Sequence, residues 1–158
     1  MKKRLMILVG IPCSGKSSYT DEIRDHRTEI ISRDDLRLRV YGKAYVPTRE
    51  KEEYITKMFN RELALCLNDS QCNLIILDNT HCKERYINEV LHSYRKVCHI
   101  ELVFFDISLI HAQIRNILRR IKTGKWIPWE VMKNMHTNYC KLNREKYHEY
   151  VVHVRHSL

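Results

Sequence analysis

Gly10, Gly15, Lys16 and Ser17 stand at the spacing G-x-x-x-x-G-K-[ST] within Gly10-Ile11-Pro12-Cys13-Ser14-Gly15-Lys16-Ser17. Two glycines at that separation let the backbone curl so that successive N–H groups point at one polyanion. A lysine placed there reaches the outer phosphates of a nucleoside triphosphate, and the following hydroxyl can hold a Mg²⁺ ion. Gly10, Cys13, Ser14, Gly15, Lys16, Ser17 and Ser18 are therefore the expected phosphate-binding residues, with Lys16 catalytic and Ser17 the metal ligand. The segment follows an apolar run, Leu5 to Val9, and leads into a stretch from Lys16 to Arg24 that reads as a helix. A strand, a tight turn and a helix N-terminus are the context such a loop needs, because the positive end of the helix dipole adds to the N–H groups. The loop points to a phosphate donor and leaves the acceptor open.

Three further groups of residues could serve an acceptor or a transition state. The first is Ser32-Arg33-Asp34-Asp35-Leu36-Arg37. A hydroxyl acceptor needs a carboxylate to take its proton, and a nearby arginine can grip a phosphate bidentately. Asp34 or Asp35 could equally cap the helix that runs on to Arg39. The second is Asp78-Asn79-Thr80, where an Asp can stand near Mg²⁺ or face the acceptor. The third is a basic run: between Asp106 and Glu130 there is no acid and there are five Lys/Arg, namely Arg115, Arg119, Arg120, Lys122 and Lys125. Arg115 and Arg119 are four apart and share a helix face, so they could close over a transferring phosphoryl group. The same run would also serve as a solvated basic face. Trp126 and Trp129 flank Pro128 and could stack on a base or pack in the core. The histidines show no ligand spacing.

These groups must be carried on a frame that brings them together. The chain has 158 residues, 44% of them apolar and 30% charged, which suits one domain, 1–158. Strands are expected at Leu5 to Val9, Glu29 to Ser32, Leu74 to Leu77 and Ile100 to Phe105, with Tyr150 to Val154 an edge strand or a frayed end. Helices are expected at Thr48 to Asp69, Lys83 to Tyr94, from a Ser108 cap to Gly124, and from Pro128 onward. The helix after Ser108 carries Ile110, Ile114, Ile117, Leu118 and Ile121 on its apolar side. Strands alternating with helices imply an α/β fold, a parallel sheet of four to five strands with helices on both faces. Ligands of such sheets bind beyond the carboxyl ends of the strands, where Gly10, Ser32, Asp78 and Asp106 all fall. No stretch approaches the length of a membrane span, so a cytoplasmic, soluble protein without membrane contact is expected. The six cysteines form no C-x-x-C pair and read as buried or half-buried thiols. A net charge of +9 suits a polyanionic partner.

Taken in order, GIPCSGKSS, ISRDDLR, LIILDNTHCKER, VFFD and RNILRR with GKWIP after it resemble the kinase domain of phage-type polynucleotide 5′-kinase. The likeness runs from about Lys3 to Tyr139. It implies a P-loop, adenylate-kinase-like fold with a helical arginine lid at about 115–128, and ATP (or another NTP) and Mg²⁺ as donor and cofactor. It implies roles as well: Asp34 as general base on the 5′-hydroxyl, Arg37 on the phosphate beside the terminal nucleotide, and Asp78 on the acceptor side. Arg115 and Arg119 would be catalytic lid residues, and Trp126 or Ile127 would border the terminal base. The phage enzyme's phosphatase domain has no counterpart, so 3′-end processing would fall to a separate phosphatase or ligase. Lys83 replaces an expected proline, Arg120 competes with Arg119 for the lid register, and the segment Tyr41 to Pro47 could reshape the acceptor channel. A phage- or virus-encoded origin fits the likeness.

Three functions are compatible with these residues: a kinase of 5′-hydroxyl DNA or RNA ends, a kinase of a small hydroxyl compound such as a nucleoside, sugar, antibiotic or nucleotide-sugar, and a non-catalytic nucleotide-binding module. The first predicts transfer to oligonucleotide ends that weakens with salt.

Overall fold

The computed structural model describes residues 2–43 and 48–157. Five strands alternate with six helices: β1 (Lys3–Val9), α1 (Lys16–Ile23), β2 (Thr28–Ile31), α2 (Arg33–Tyr41), α3 (Arg49–Asn68), β3 (Leu74–Leu77), α4 (Glu84–Tyr94), β4 (Cys98–Asp106), α5 (Leu109–Thr123), α6 (Trp129–Cys140) and β5 (Val151–His156). The strands lie in the order β2-β3-β1-β4-β5, and every neighbouring pair is parallel. The tail is thus an edge strand, paired with β4 from Glu101↔Val151 to Asp106↔His156. β1 sits between β3 and β4, so the chain leaves it towards one side of the sheet and later returns to the other. The C-terminal end of β1 is the crevice where such a sheet takes its ligand.

Side chains alternate across the sheet. Leu5, Ile7 and Val9 enter a core with Leu36, Ile55, Phe59, Leu63, Ile87, Ala112 and Met132, drawn from α2 through α6. Met6, Leu8, Ile76, Val103 and Phe105 face the other way and meet Tyr19 and Ile23 of α1. Both faces are covered, unequally. The apolar spacing of α3 is borne out, with Ile55, Phe59 and Leu63 buried.

Caps follow local chemistry. Thr48 and Ser108 accept from Lys51 N and His111 N, opening α3 and α5, as their hydroxyls allow. The cap of α2 departs from the sequence expectation. Ser32 accepts from Asp35 N, and the helix starts at Arg33, so neither Asp34 nor Asp35 caps it. A serine directly after an extended strand reaches the third N–H before either acid is in place, and both carboxylates are left in the first turn.

α5 holds a larger surprise. Its buried residues are Ala112 and Asn116, while Ile110, Ile114, Ile117, Leu118 and Ile121 are exposed. The apolar side of this helix faces away from the domain. Residues 44–47 lie outside the described residues, and with them most of the Tyr41 to Pro47 segment. Among the cysteines, Cys72, Cys82 and Cys98 are buried as thiols and Cys13 and Cys66 are half-buried, whereas Cys140 is exposed.

Candidate active site

The loop after β1 is shaped by backbone that few residues tolerate. A Cβ on Gly10 would stand 2.7 Å from Ser14 Oγ and 2.9 Å from Phe105 Cβ, so the close approach of loop and β4 requires glycine. Gly15, at φ 98°, ends the loop in the left-handed region and opens α1. Cys13 also has positive φ, 64°. These turns bring Cys13, Gly15, Lys16, Ser17 and Ser18 to one side of a cleft of about 540 Å³. Arg115 and Arg119 of α5 line the other side, with Arg155, His156 and Ser157 at the end of β5. Ser14 is fully buried behind the loop, and its hydroxyl has no partner among the described residues.

Lys16 is nearly buried, and its Nζ donates to Gly10 O and Ile11 O, both at 2.9 Å. The ammonium is held by the carbonyls of its own loop. Burial pushes its pKa down, while Asp78 and, more weakly, Asp34 hold it up. Asp78, at the end of β3, is itself pushed up by burial, partly offset by Lys16. Lys16, Asp34 and Asp78, from beyond the ends of β1, β2 and β3, therefore influence one another's charge.

On the lid side, Arg115 Nη1 donates to Cys13 O at 3.2 Å. Arg119 lines the cleft with its Nε buried and unpartnered among the described residues. Arg120 turns outward over the Trp126 ring, 5.1 Å from its centroid. Arg115 and Arg119 are the pair that the helix aims inward. Trp126 is exposed, and Ile127 is tied to α5, its N–H donating to Asn116 Oδ1 and its carbonyl accepting from Asn116 Nδ2 at 2.8 Å. Neither residue lines the cleft.

Asp34 is exposed on α2 and accepts from Arg37 Nη1 at 2.7 Å one turn on. The sequence did not reveal what holds Arg37. Glu52, on α3, accepts from Arg37 Nε at 2.7 Å and Nη2 at 2.9 Å, and from Arg33 Nη2 at 3.1 Å. Both arginines hold the Glu52 carboxyl below its usual range, with Arg37 the larger cause. No local pattern marks Glu52, because its partners come from another helix, fifteen and nineteen residues earlier. Asp106, by contrast, is taken up by structure: Tyr139 Oη donates to it at 2.7 Å, and Arg144 pairs with it.

The residue that joins the first and third strand ends is His81, another that sequence spacing passed over. Its backbone is left-handed at φ 46°, its ring is buried, and Nδ1 lies 2.9 Å from Leu8 O. Next to it, Gly10 N donates to Thr80 O at 2.9 Å. Burial brings the His81 pKa down from its usual value of 6.5 to about 4. The folded protein thus binds the proton less readily than the unfolded chain, so stability falls as pH drops from 6.5 towards 4. This one group is expected to remove about 3 kcal/mol over that window. Urea unfolding at several pH values checks it. His81→Asn, which tolerates the left-handed backbone, should flatten the slope, and an unchanged slope would assign the acid loss to other groups.

The AAA domain family model matches residues 5–142 of the chain. A protein of Autographa californica nuclear polyhedrosis virus, named for a bifunctional polynucleotide kinase/RNA ligase, is 29% identical over 164 residues, which cover 92% of this chain and 22% of that protein. A structure of the Pnkp1/Rnl/Hen1 RNA repair complex contains a chain similar at TM-score 0.79 and 28% identity, over 92% of this chain and 46% of that one. A second Pnkp1/Rnl/Hen1 complex is similar at TM-score 0.63 and 32% identity, over 72% and 39%. A gluconokinase from Sinorhizobium meliloti 1021, at 14% identity and TM-score 0.55, shares the fold. The chain spans less than half the length of the polynucleotide kinase and repair-complex relatives it matches. No described helix is long and apolar enough to cross a membrane.

Proposed function

Because the chain belongs to the AAA domain family, whose match spans both the phosphate loop and the arginine helix, we propose that it is an ATP-dependent kinase of 5′-hydroxyl ends of DNA or RNA. The observation that carries the reading is the pair of exposed Asp34 and half-buried Arg37 just after β2, at the same carboxyl end of the sheet as Lys16 and Asp78. A base and a phosphate-binding cation one helical turn apart match an acceptor hydroxyl with a phosphate on its own nucleotide. The names of the viral relative and of the repair complexes support the polynucleotide class.

In this mechanism the triphosphate lies along the loop from Cys13 to Ser18, and Lys16 exchanges its two carbonyl partners for the β- and γ-phosphates. Arg115 and Arg119 approach from α5 and neutralise charge on the phosphoryl group in flight. Asp34 takes the proton of the attacking hydroxyl. Arg37, fixed by Glu52, binds the neighbouring phosphate. The exposed Ser17 hydroxyl, in the cleft, is an oxygen donor of the kind Mg²⁺ accepts, and the Asp78 carboxyl beside Lys16 would be a second. When bound there with the phosphates, Mg²⁺ would neutralise developing negative charge. Trp126 and Ile127 would border the terminal base once acceptor is bound.

The test is transfer of labelled γ-phosphate from ATP to a short 5′-hydroxyl oligonucleotide, beside a panel of nucleosides and sugars. Label on the oligonucleotide, falling as salt rises, is the expected result. Label on a small molecule keeps the donor site and discards the acceptor; label nowhere favours a binding module. Glu52→Gln should raise the oligonucleotide KM about tenfold with the ATP KM unchanged, because Arg37 loses its bidentate anchor. An equal rise in both constants would make Glu52 a general structural residue.

A further inference from the structure

We infer that the outer face of α5 is the docking surface for an acidic amphipathic helix of another polypeptide. Ile110, Ile114, Ile117 and Ile121 follow one another at spacings of four, three and four, which is the seam of a coiled coil. All four are exposed, Ile110 at 70% and Ile121 at 76%, while Ala112 on the opposite side of the helix is fully buried. A soluble domain normally turns its amphipathic helices the other way, apolar stripe inward. Here the inward side is occupied by function and anchoring, with Arg119 lining the cleft and Asn116 holding Ile127. The seam is left without a partner among the described residues, and contiguous exposed aliphatic surface of this kind marks an interaction site.

The form of the seam selects the occupant. Isoleucines at strict 4-3-4 spacing, with exposed Leu118 beside them, make a ridge whose side chains fit the holes of a facing helix. A helix lying on a lipid surface shows a broader apolar face. Charge then selects the partner's sign. Arg120 flanks the seam on one side and Lys122 on the other, both exposed, and no Asp or Glu occurs from Ile107 to Trp129. A second copy of the chain would set this cationic helix against itself, which like-charge contact disfavours. A helix with apolar a and d positions and carboxylates beside them satisfies both features. Because the seam faces away from the phosphate cleft, occupancy is compatible with bound nucleotide, and the inference holds whatever the acceptor.

The experiment uses the whole chain and two labelled three-heptad peptides with Ile at a and Leu at d, one with Glu at e and g and the other with Lys. Fluorescence anisotropy should show the Glu peptide binding at least about tenfold tighter than the Lys peptide. Ile114→Ser with Ile117→Ser should lose at least about tenfold of that affinity, and Arg120→Glu should narrow the preference between peptides. Unchanged circular dichroism and ATP binding show that the variants fold. Should the first pair unfold, Ile110→Ser with Ile121→Ser replaces it, because both side chains are largely solvent-exposed. Failure of both peptides to bind, equal binding of the two, or binding indifferent to the seam variants overturns the inference. So does capture by phosphatidylcholine vesicles containing about 30% phosphatidylglycerol, if the seam variants abolish it, because lipid is then the occupant. A two-chain mass in sedimentation that the same variants reduce to one would instead assign the seam to self-association.

Discussion

Asp34→Asn is expected to lower phosphoryl transfer by about 10²- to 10⁴-fold while leaving ATP affinity almost unchanged. The asparagine keeps the size and place of the side chain in the first turn of α2 and can still accept from Arg37 Nη1. What it loses is the capacity to accept the acceptor's proton. ATP affinity should survive because the donor cleft is lined by residues of the β1–α1 loop, α1, β4, α5 and the end of β5, and Asp34 is absent from that lining. Two other carboxylates, Asp78 and Asp35, compete for this proposed role. Asp78 is half-buried, and the Lys16 ammonium is its nearest opposite charge, so its carboxylate is less free than that of exposed Asp34 to face an acceptor hydroxyl. Asp35 follows Asp34 on the helix, and Arg37 bonds Asp34. The decisive measurement is single-turnover transfer to a 5′-hydroxyl oligonucleotide together with ATP binding by calorimetry. Near-normal turnover in Asp34→Asn would move the base to Asp35 or Asp78; loss of ATP affinity would show that the variant disturbs the loop.

How much of this was legible in the sequence depends on the range of the interaction. The phosphate loop was legible because its function is local: glycines, a lysine and a hydroxyl at fixed offsets on a strand–turn–helix. The buried strands were legible as unbroken apolar runs, and β5 was read only as an open alternative because an edge strand alternates weakly. Glu52 was not legible, since its value lies in a contact across two helices. Nor was the service of Ser157, whose Oγ donates to Ser14 O at 3.0 Å across 143 residues. His81 looked idle for the opposite reason: its role is a left-handed backbone and a bond to β1, which no ligand spacing announces. The α5 stripe was correctly seen as one apolar face. Periodicity states that a face exists and not which way it points, and here the cleft claimed the other side of the helix.

Lys16 is the residue at which stability and function are most sharply opposed, and Lys16→Met is expected to separate them. Transfer should fall by about 10³-fold or more, since no other side chain of the loop carries positive charge to the outer phosphates. Stability should move little, with Tm within about 4 °C of the parent. Three terms set that balance. Removing a cation that burial disfavours is stabilising. Leaving Gly10 O and Ile11 O without their donor opposes it, at about 1–3 kcal/mol for an unsatisfied buried group. Asp78 also loses its compensating charge, which pushes its pKa further up and makes its anion less favourable in that place. Methionine fills much of the same volume, so no large cavity adds to the cost. Thermal unfolding and single-turnover transfer on the same preparation decide the matter. A large drop in Tm would make Lys16 a structural cation whose bonds to the loop carbonyls are its main purpose. Retention of a tenth or more of the activity would mean that the lysine stays on those carbonyls during catalysis, and the charge at the γ-phosphate would then have to come from Arg115 and Arg119 alone.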